Sequence, residues 1–158
     1  MGWNRFCKSP IKDVEQTLLL DISKEKDTSL LSFYVGCDSM LRRQEEICYT
    51  TVLVMLRKGA GGIGYYQKIK ERDPHSTRKQ RLFRETYEAV QAALFFNPIL
   101  EQVGFNIKEV HTDLNPKEGT GSYDMIQQCI GYIKGMGFEG KVKPDAWAAY
   151  SAGDKFSK

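Results

Sequence analysis

Asp38 ends the run LSFYVGCD and Asp113 ends EVHTD. Glu85 lies inside RKQRLFRETYEAVQAAL, and Asp154 falls in AAYSAGDKFSK near the end of the chain. Taken singly, each has an ordinary structural reading. Aspartate is a favoured turn former and helix cap, and a helix glutamate usually meets water. Taken together they have a chemical one. Clustered carboxylates repel, and at neutral pH a bound divalent cation relieves them. Converging acids, with water and phosphate oxygens, suit Mg²⁺ or Mn²⁺. Two such ions about 3.5–4 Å apart can clamp the attacking and leaving oxygens of a phosphodiester.

The elements that would position these acids follow from pattern. Ser9-Pro10 fits an N-cap with proline at the first helical position. Ile11, Val14, Leu18, Leu19 and Ile22 then recur at helical spacing, so a helix is expected over 10–23. Strands are expected over 31–37, 46–56 and 65–69. Gly59-Ala60-Gly61-Gly62-Ile63-Gly64 spells GxGxxG, but YYQKI follows it with no helical stripe. A dinucleotide fingerprint needs a helix there, so a glycine-rich hairpin is expected. A helix is expected over 77–96, stopped by Asn97-Pro98. A strand over 105–111, a helix from Ser122 to Gly135, a short strand over 140–143 and a last helix from 144 or 145 complete the chain.

The order β-β-β-α-β-α-β-α predicts an α/β fold. Its sheet is mixed and five-stranded, three antiparallel strands followed by two parallel ones, flanked by helices with an extra N-terminal helix. The expected organisation is one domain over 1–158, with residues 1–29 as a helical extension. If the first and fourth strands are parallel neighbours, Asp38 and Asp113 share the carboxyl ends where open α/β sheets place ligands. On the helix 77–96, Leu82, Phe83, Tyr87, Ala89, Val90, Ala93 and Leu94 define the apolar face. Glu85 lies at its border and Glu88 points away, so Glu85 is preferred. Asp154, late in a helix, sits badly with the negative end of the macrodipole.

The 158 residues carry a formal net charge of +3, which permits an anionic partner without demanding one. No apolar stretch is long enough to span a bilayer. MGWNRFCKSP lacks the apolar core of a signal peptide. Cys7, Cys37, Cys48 and Cys129 form no CxxC, which argues against structural zinc and for a reduced, cytoplasmic protein.

Substrate-holding candidates are basic or loop residues. Arg78, Lys79 and Arg81 begin a helix, where cations are mildly unfavourable but a phosphate backbone would use them; a solvated helix start explains them more cheaply. Lys117 and Ser122 lead into a helix N-terminus, a natural anion site. Ser39 adjoins Asp38. His111 alternates with Asp113 on one strand face, either as a substrate or outer-shell contact or as a packed strand residue.

YVGCDS, HTDLN…GTGS and KPDAWAAYSAGDKFSK together resemble the YkuK-type, ribonuclease H-like family of small bacterial proteins, from about Phe33 to the end. The resemblance implies a ribonuclease H-like fold and an acidic tetrad at Asp38, Glu85, Asp113 and Asp154. It implies metal-dependent phosphodiester hydrolysis with RNA, DNA or hybrid as partner. A non-catalytic nucleic-acid-binding or scaffold protein and a small-nucleotide phosphoesterase are the alternatives. Many ribonucleases H carry a histidine before the last acidic helix, and this chain has none after His111.

Overall fold

The computed structural model describes residues 2–114, 125–142 and 146–148. The strands are β1 (Asn4–Arg5), β2 (Leu31–Leu41), β3 (Glu46–Arg57), β4 (Gly61–Arg72), β5 (Ile107–His111) and β6 (Gly140–Lys141). The helices are α1 (Val14–Ser23), α2 (Arg78–Glu101) and α3 (Ile126–Gly135). The strands form one mixed sheet in the order β1-β4-β3-β2-β5-β6. β2, β3 and β4 are an antiparallel meander, and β5 joins β2 in parallel.

The antiparallel-then-parallel arrangement is the expected one, with a sixth strand added at the edge. That strand comes from the stretch expected to be purely helical. Asn4 and Arg5 pair with Tyr66 and Tyr65 of β4. Pro10 bridges back to Asn4 rather than starting a helix. α1 begins later, where the Asp13 carboxylate accepts from the Gln16 N–H at 3.1 Å. The extension is pinned by Arg5, which donates to both oxygens of Asp21 at 2.8 and 3.1 Å, while the Tyr65 hydroxyl donates to Asp21 at 2.5 Å.

The glycine-rich segment is a hairpin. Arg57 pairs with Gly61 across a turn in which Gly59 takes φ +79, a conformation that L side chains rarely adopt. β4 is longer than expected because its glycines are part of the ladder. Gly64 lies directly under the Phe6 ring, which a Cβ would overlap.

α2 does not stop at Asn97. Pro98 sits inside it, at the cost of one helical hydrogen bond. Continuation buries Ile99 and Leu100, and the Asn97 side-chain Oδ1 accepts from the Ile107 N–H at 2.8 Å, tying the helix to β5. At its start, Thr77 and Gln80 form a reciprocal capping box.

Side chains alternate across the sheet. Phe33, Val35, Cys37, Leu53, Met55 and Tyr65 face α1 and α2, meeting Leu18, Ala89, Val90, Ala93 and Phe96. Tyr34, Val52, Val54 and Tyr66 face the other way and are covered by Trp147 and Ala148. The last helix expected after Pro144 lies outside the described residues except for 146–148. Among the described residues, no helix is long and apolar enough to cross a membrane.

Candidate functional site

The parallel ladder between β2 and β5 ends at the pair Gly36 and His111. Two residues past that pair stand Asp38 and Asp113, on strands that run about 4.8 Å apart where they pair. Asp38 is still inside β2, which runs on to Leu41 in its ladder with β3 instead of ending at the aspartate as expected, and Asp113 lies just beyond the end of β5. Each is held by anchored neighbours. Cys37 before Asp38 is in the core, and Ser39 after it is bonded to α2. Thr112 before Asp113 donates its N–H to the Lys141 carbonyl at 2.9 Å. Leu114 after it is buried among Leu82, Met125 and Cys129.

Glu85 is 5% exposed. It stands three residues after Leu82 and four before Ala89, both buried, so it belongs to the inward stripe of α2 rather than its border. The expected apolar face was rotated wrongly, because Phe83 and Tyr87 turn outward at 39% and 42% exposure. The Glu85 Oε1 accepts from the Ser39 N–H at 2.9 Å and the Ser39 hydroxyl at 2.5 Å. Burial pushes the Glu85 carboxyl up to about 8. The Ser39 hydrogen bonds oppose this, and the charges of Asp38 and Asp113 add to it. Glu85 therefore senses both aspartates. The buried Cys37 thiol is also pushed well up, by burial first and by Glu85 second.

Glu88 has a structural task. It accepts from Arg84 Nε at 2.7 Å, and Arg84 also makes two bonds to Glu71 of β4, at 2.6 and 3.0 Å. This network fixes the seat of α2 on the sheet, and with it the height of Glu85 above Ser39.

Two of the expected substrate contacts are turned inward. Both Ser39 donors serve Glu85. His111 is fully buried and packs as a strand residue. Its Nδ1 accepts from the Ala148 N–H at 3.1 Å, so Nε2 carries the proton and donates to Glu109 at 3.0 Å. Its ring lies 5.3 Å from Tyr34 and 5.1 Å from Trp147. The histidine thus docks the C-terminal segment on the sheet, a role that its sequence neighbours do not reveal. Arg78 and Lys79 are exposed and Arg81 half-buried. Arg78 and Arg81 share the helical face of Glu85 at i−7 and i−4, whereas Lys79 falls with Phe83 on the outward face. Lys117, Ser122 and Asp154 lie outside the described residues.

The donor set of Asp38, Asp113 and Glu85 is all carboxylate oxygen, which fits a hard divalent cation. Among the described residues, no three histidine, cysteine, aspartate or glutamate side chains are assembled to hold a metal ion. Alternation explains why: Ser39 presents Glu85 on the α2 side of β2, and Asp38 faces the side covered by residues 146–148.

A meander followed by parallel strands, with acids in β2, just beyond β5 and on α2, defines a class. The ribonuclease H-like family model matches residues 13–158, and the chain belongs to that family. It is also similar to "Uncharacterized protein YkuK" of Bacillus subtilis (strain 168), with 29% identity over 159 residues, covering 93% of this chain and 90% of that protein. No solved structure gives a significant match.

Proposed function

We propose that the chain is a divalent-metal-dependent nuclease that hydrolyses phosphodiester bonds of nucleic acid. One observation carries this reading: Asp38 of β2 and Asp113 just past β5 each lie two residues beyond the last pair of one parallel ladder, with Glu85 buried within electrostatic reach of both. Asp38 and Asp113 would hold Mg²⁺ or Mn²⁺, with Glu85 and Asp154 completing or orienting the site. When bound, such an ion stabilises the charge that develops on a phosphodiester under attack. The protein's own groups do the rest. Ser39 orients Glu85, the Arg84 network seats α2, and Arg78 and Arg81 line the approach along the Glu85 face. The free cysteines, three of them buried, agree with a reduced, cytoplasmic setting.

A second reading, a nucleic-acid-binding protein without turnover, is favoured by the absence of a ready-made three-ligand set among the described residues. Incubation with labelled RNA, DNA and RNA–DNA hybrid, with Mg²⁺ or Mn²⁺, separates the two. The nuclease reading expects metal-dependent cleavage that falls about a hundredfold or more in Asp38→Asn, the scale of losing one preorganised charge-stabilising group. Binding without cleavage favours the second reading. Turnover of nucleotides but not polymers makes the protein a small-nucleotide phosphoesterase. Cleavage unchanged in Asp38→Asn removes this site from the chemistry.

A further inference from the structure

The meander carries a column of cations beside Asp38 on the sheet face that Asp38 occupies. The β2–β3–β4 register is unbroken. It aligns Asp38 with Thr50 and then Lys68, Met40 with Cys48 and then Lys70, and Glu46 with Arg72. Alternation therefore puts Lys68, Lys70 and Arg72 on one face of β4. That face is also the Asp38 face, because Tyr34, Val52, Val54 and Tyr66 of the same parity pack together. Lys68 stands two strands from Asp38, roughly 10 Å away at normal strand spacing. Beyond it, Met40, Leu41, Arg42, Arg43, Gln44 and Arg72 line an open recess of about 840 Å³ at the hairpin end, with Glu46 its one acid against three arginines. Lys68 is half-buried, and its ammonium is held below the usual lysine range by burial and by the charges of Arg42, Lys70 and Lys8.

Gathering four cations within range of one another raises the energy of the folded chain and does not help a core. An extended polyanion offsets that cost along its whole length, because each neutralised phosphate releases counterions. The column leads away from Asp38 rather than surrounding a closed pocket, which matches a chain-like ligand better than a single phosphate.

We propose that the face formed by Lys68, Lys70 and Arg72, with Arg42 at its open end, is a backbone-binding track for nucleic acid, delivering the strand to the Asp38 end of the sheet. This deepens the functional reading above and rests on the part of it that takes nucleic acid as the ligand. It does not require turnover.

The test is fluorescence anisotropy with labelled single-stranded and duplex oligonucleotides in EDTA, so that cleavage cannot intervene, over a range of salt. Full-length wild type is compared with Lys68→Gln/Lys70→Gln and with Lys24→Gln/Lys26→Gln. The latter pair removes equal charge before the opposite end of β2. Lys70→Gln alone, at an exposed position, serves if the double variant folds poorly. The track predicts weaker binding for Lys68→Gln/Lys70→Gln and a log–log salt slope shallower by about 1.4–1.8, from two lost phosphate contacts. Lys24→Gln/Lys26→Gln keeps the wild-type slope. Equal losses in both double variants, or none in either, overturn the track while leaving nucleic-acid binding intact. No binding by wild type to either oligonucleotide overturns the track and the nucleic-acid reading together. Tighter capture of vesicles containing phosphatidylserine than of oligonucleotides reassigns the face to membranes and also overturns it.

Discussion

The metal-free protein is expected to lose stability as pH rises from about 4.5 to about 8, and Glu85→Gln is expected to abolish that loss. In the folded chain the Glu85 carboxyl keeps its proton up to about 8, against 4.5 for an ordinary glutamate. Between these limits the native state binds more protons than the unfolded state, so stability falls with rising pH. The contribution is fully present below the unfolded pKa and is gone above the folded one. A gap of about 3.5 pH units corresponds to a few kcal/mol and at most about 5 kcal/mol at about 1.4 kcal/mol per unit, a large part of the stability of a small domain. Urea denaturation at a series of pH values reads it directly. Glutamine keeps the shape and the acceptor for Ser39 but cannot ionise, so its profile is flat across this window. Because the charges of Asp38 and Asp113 add to the effect of burial on ionised Glu85, Mn²⁺ stabilises the wild type more at pH 8 than at pH 6. Matching slopes for wild type and Glu85→Gln would mean that Glu85 is not a proton-holding group.

The second large effect is expected at His111. Replacing it with alanine leaves the Ala148 N–H and the Glu109 carboxylate without their ring partner and opens a cavity between Tyr34 and Trp147. Lost packing and a stranded buried donor together cost about 3–5 kcal/mol. Residues 146–148 would separate from the sheet. In a Trp3→Phe background the emission of Trp147 reports this alone. A red shift at low denaturant, preceding the main transition, is the expected result. An unshifted spectrum and an unchanged midpoint would mean that the histidine does not dock the segment.

What could be read from the sequence followed from local periodicity and order. The meander, the β5 crossover and the adjacency of Asp38 and Asp113 needed only strand count and the preference for parallel βαβ units. β1 escaped because two residues carry no period. Pro98 misled because burial of Ile99 and Leu100 outweighs one missing hydrogen bond, a balance set by tertiary packing. The Ser39–Glu85 contact spans 46 residues and depends on how α2 is seated by Arg84 and Glu71, so no window of sequence contains it. Glu85 left a trace all the same, as a charged residue between Leu82 and Ala89 on a stripe that is otherwise buried. The cation column was invisible for a different reason. Lys68, Lys70 and Arg72 are evident in sequence, but only the register with β2 puts them beside Asp38.

Everything functional turns on whether the Asp38 and Asp113 end of the sheet takes up a divalent cation. Isothermal titration of the full chain with Mn²⁺ at pH 8, where proton competition at Glu85 is weaker than at pH 6, measures this without assuming a substrate. The account predicts binding by wild type, a loss of at least about tenfold in Asp38→Asn and in Asp113→Asn, and wild-type affinity in Glu88→Gln, whose native carboxylate is engaged by Arg84. Absence of binding by wild type, or undiminished binding by Asp38→Asn, would contradict it.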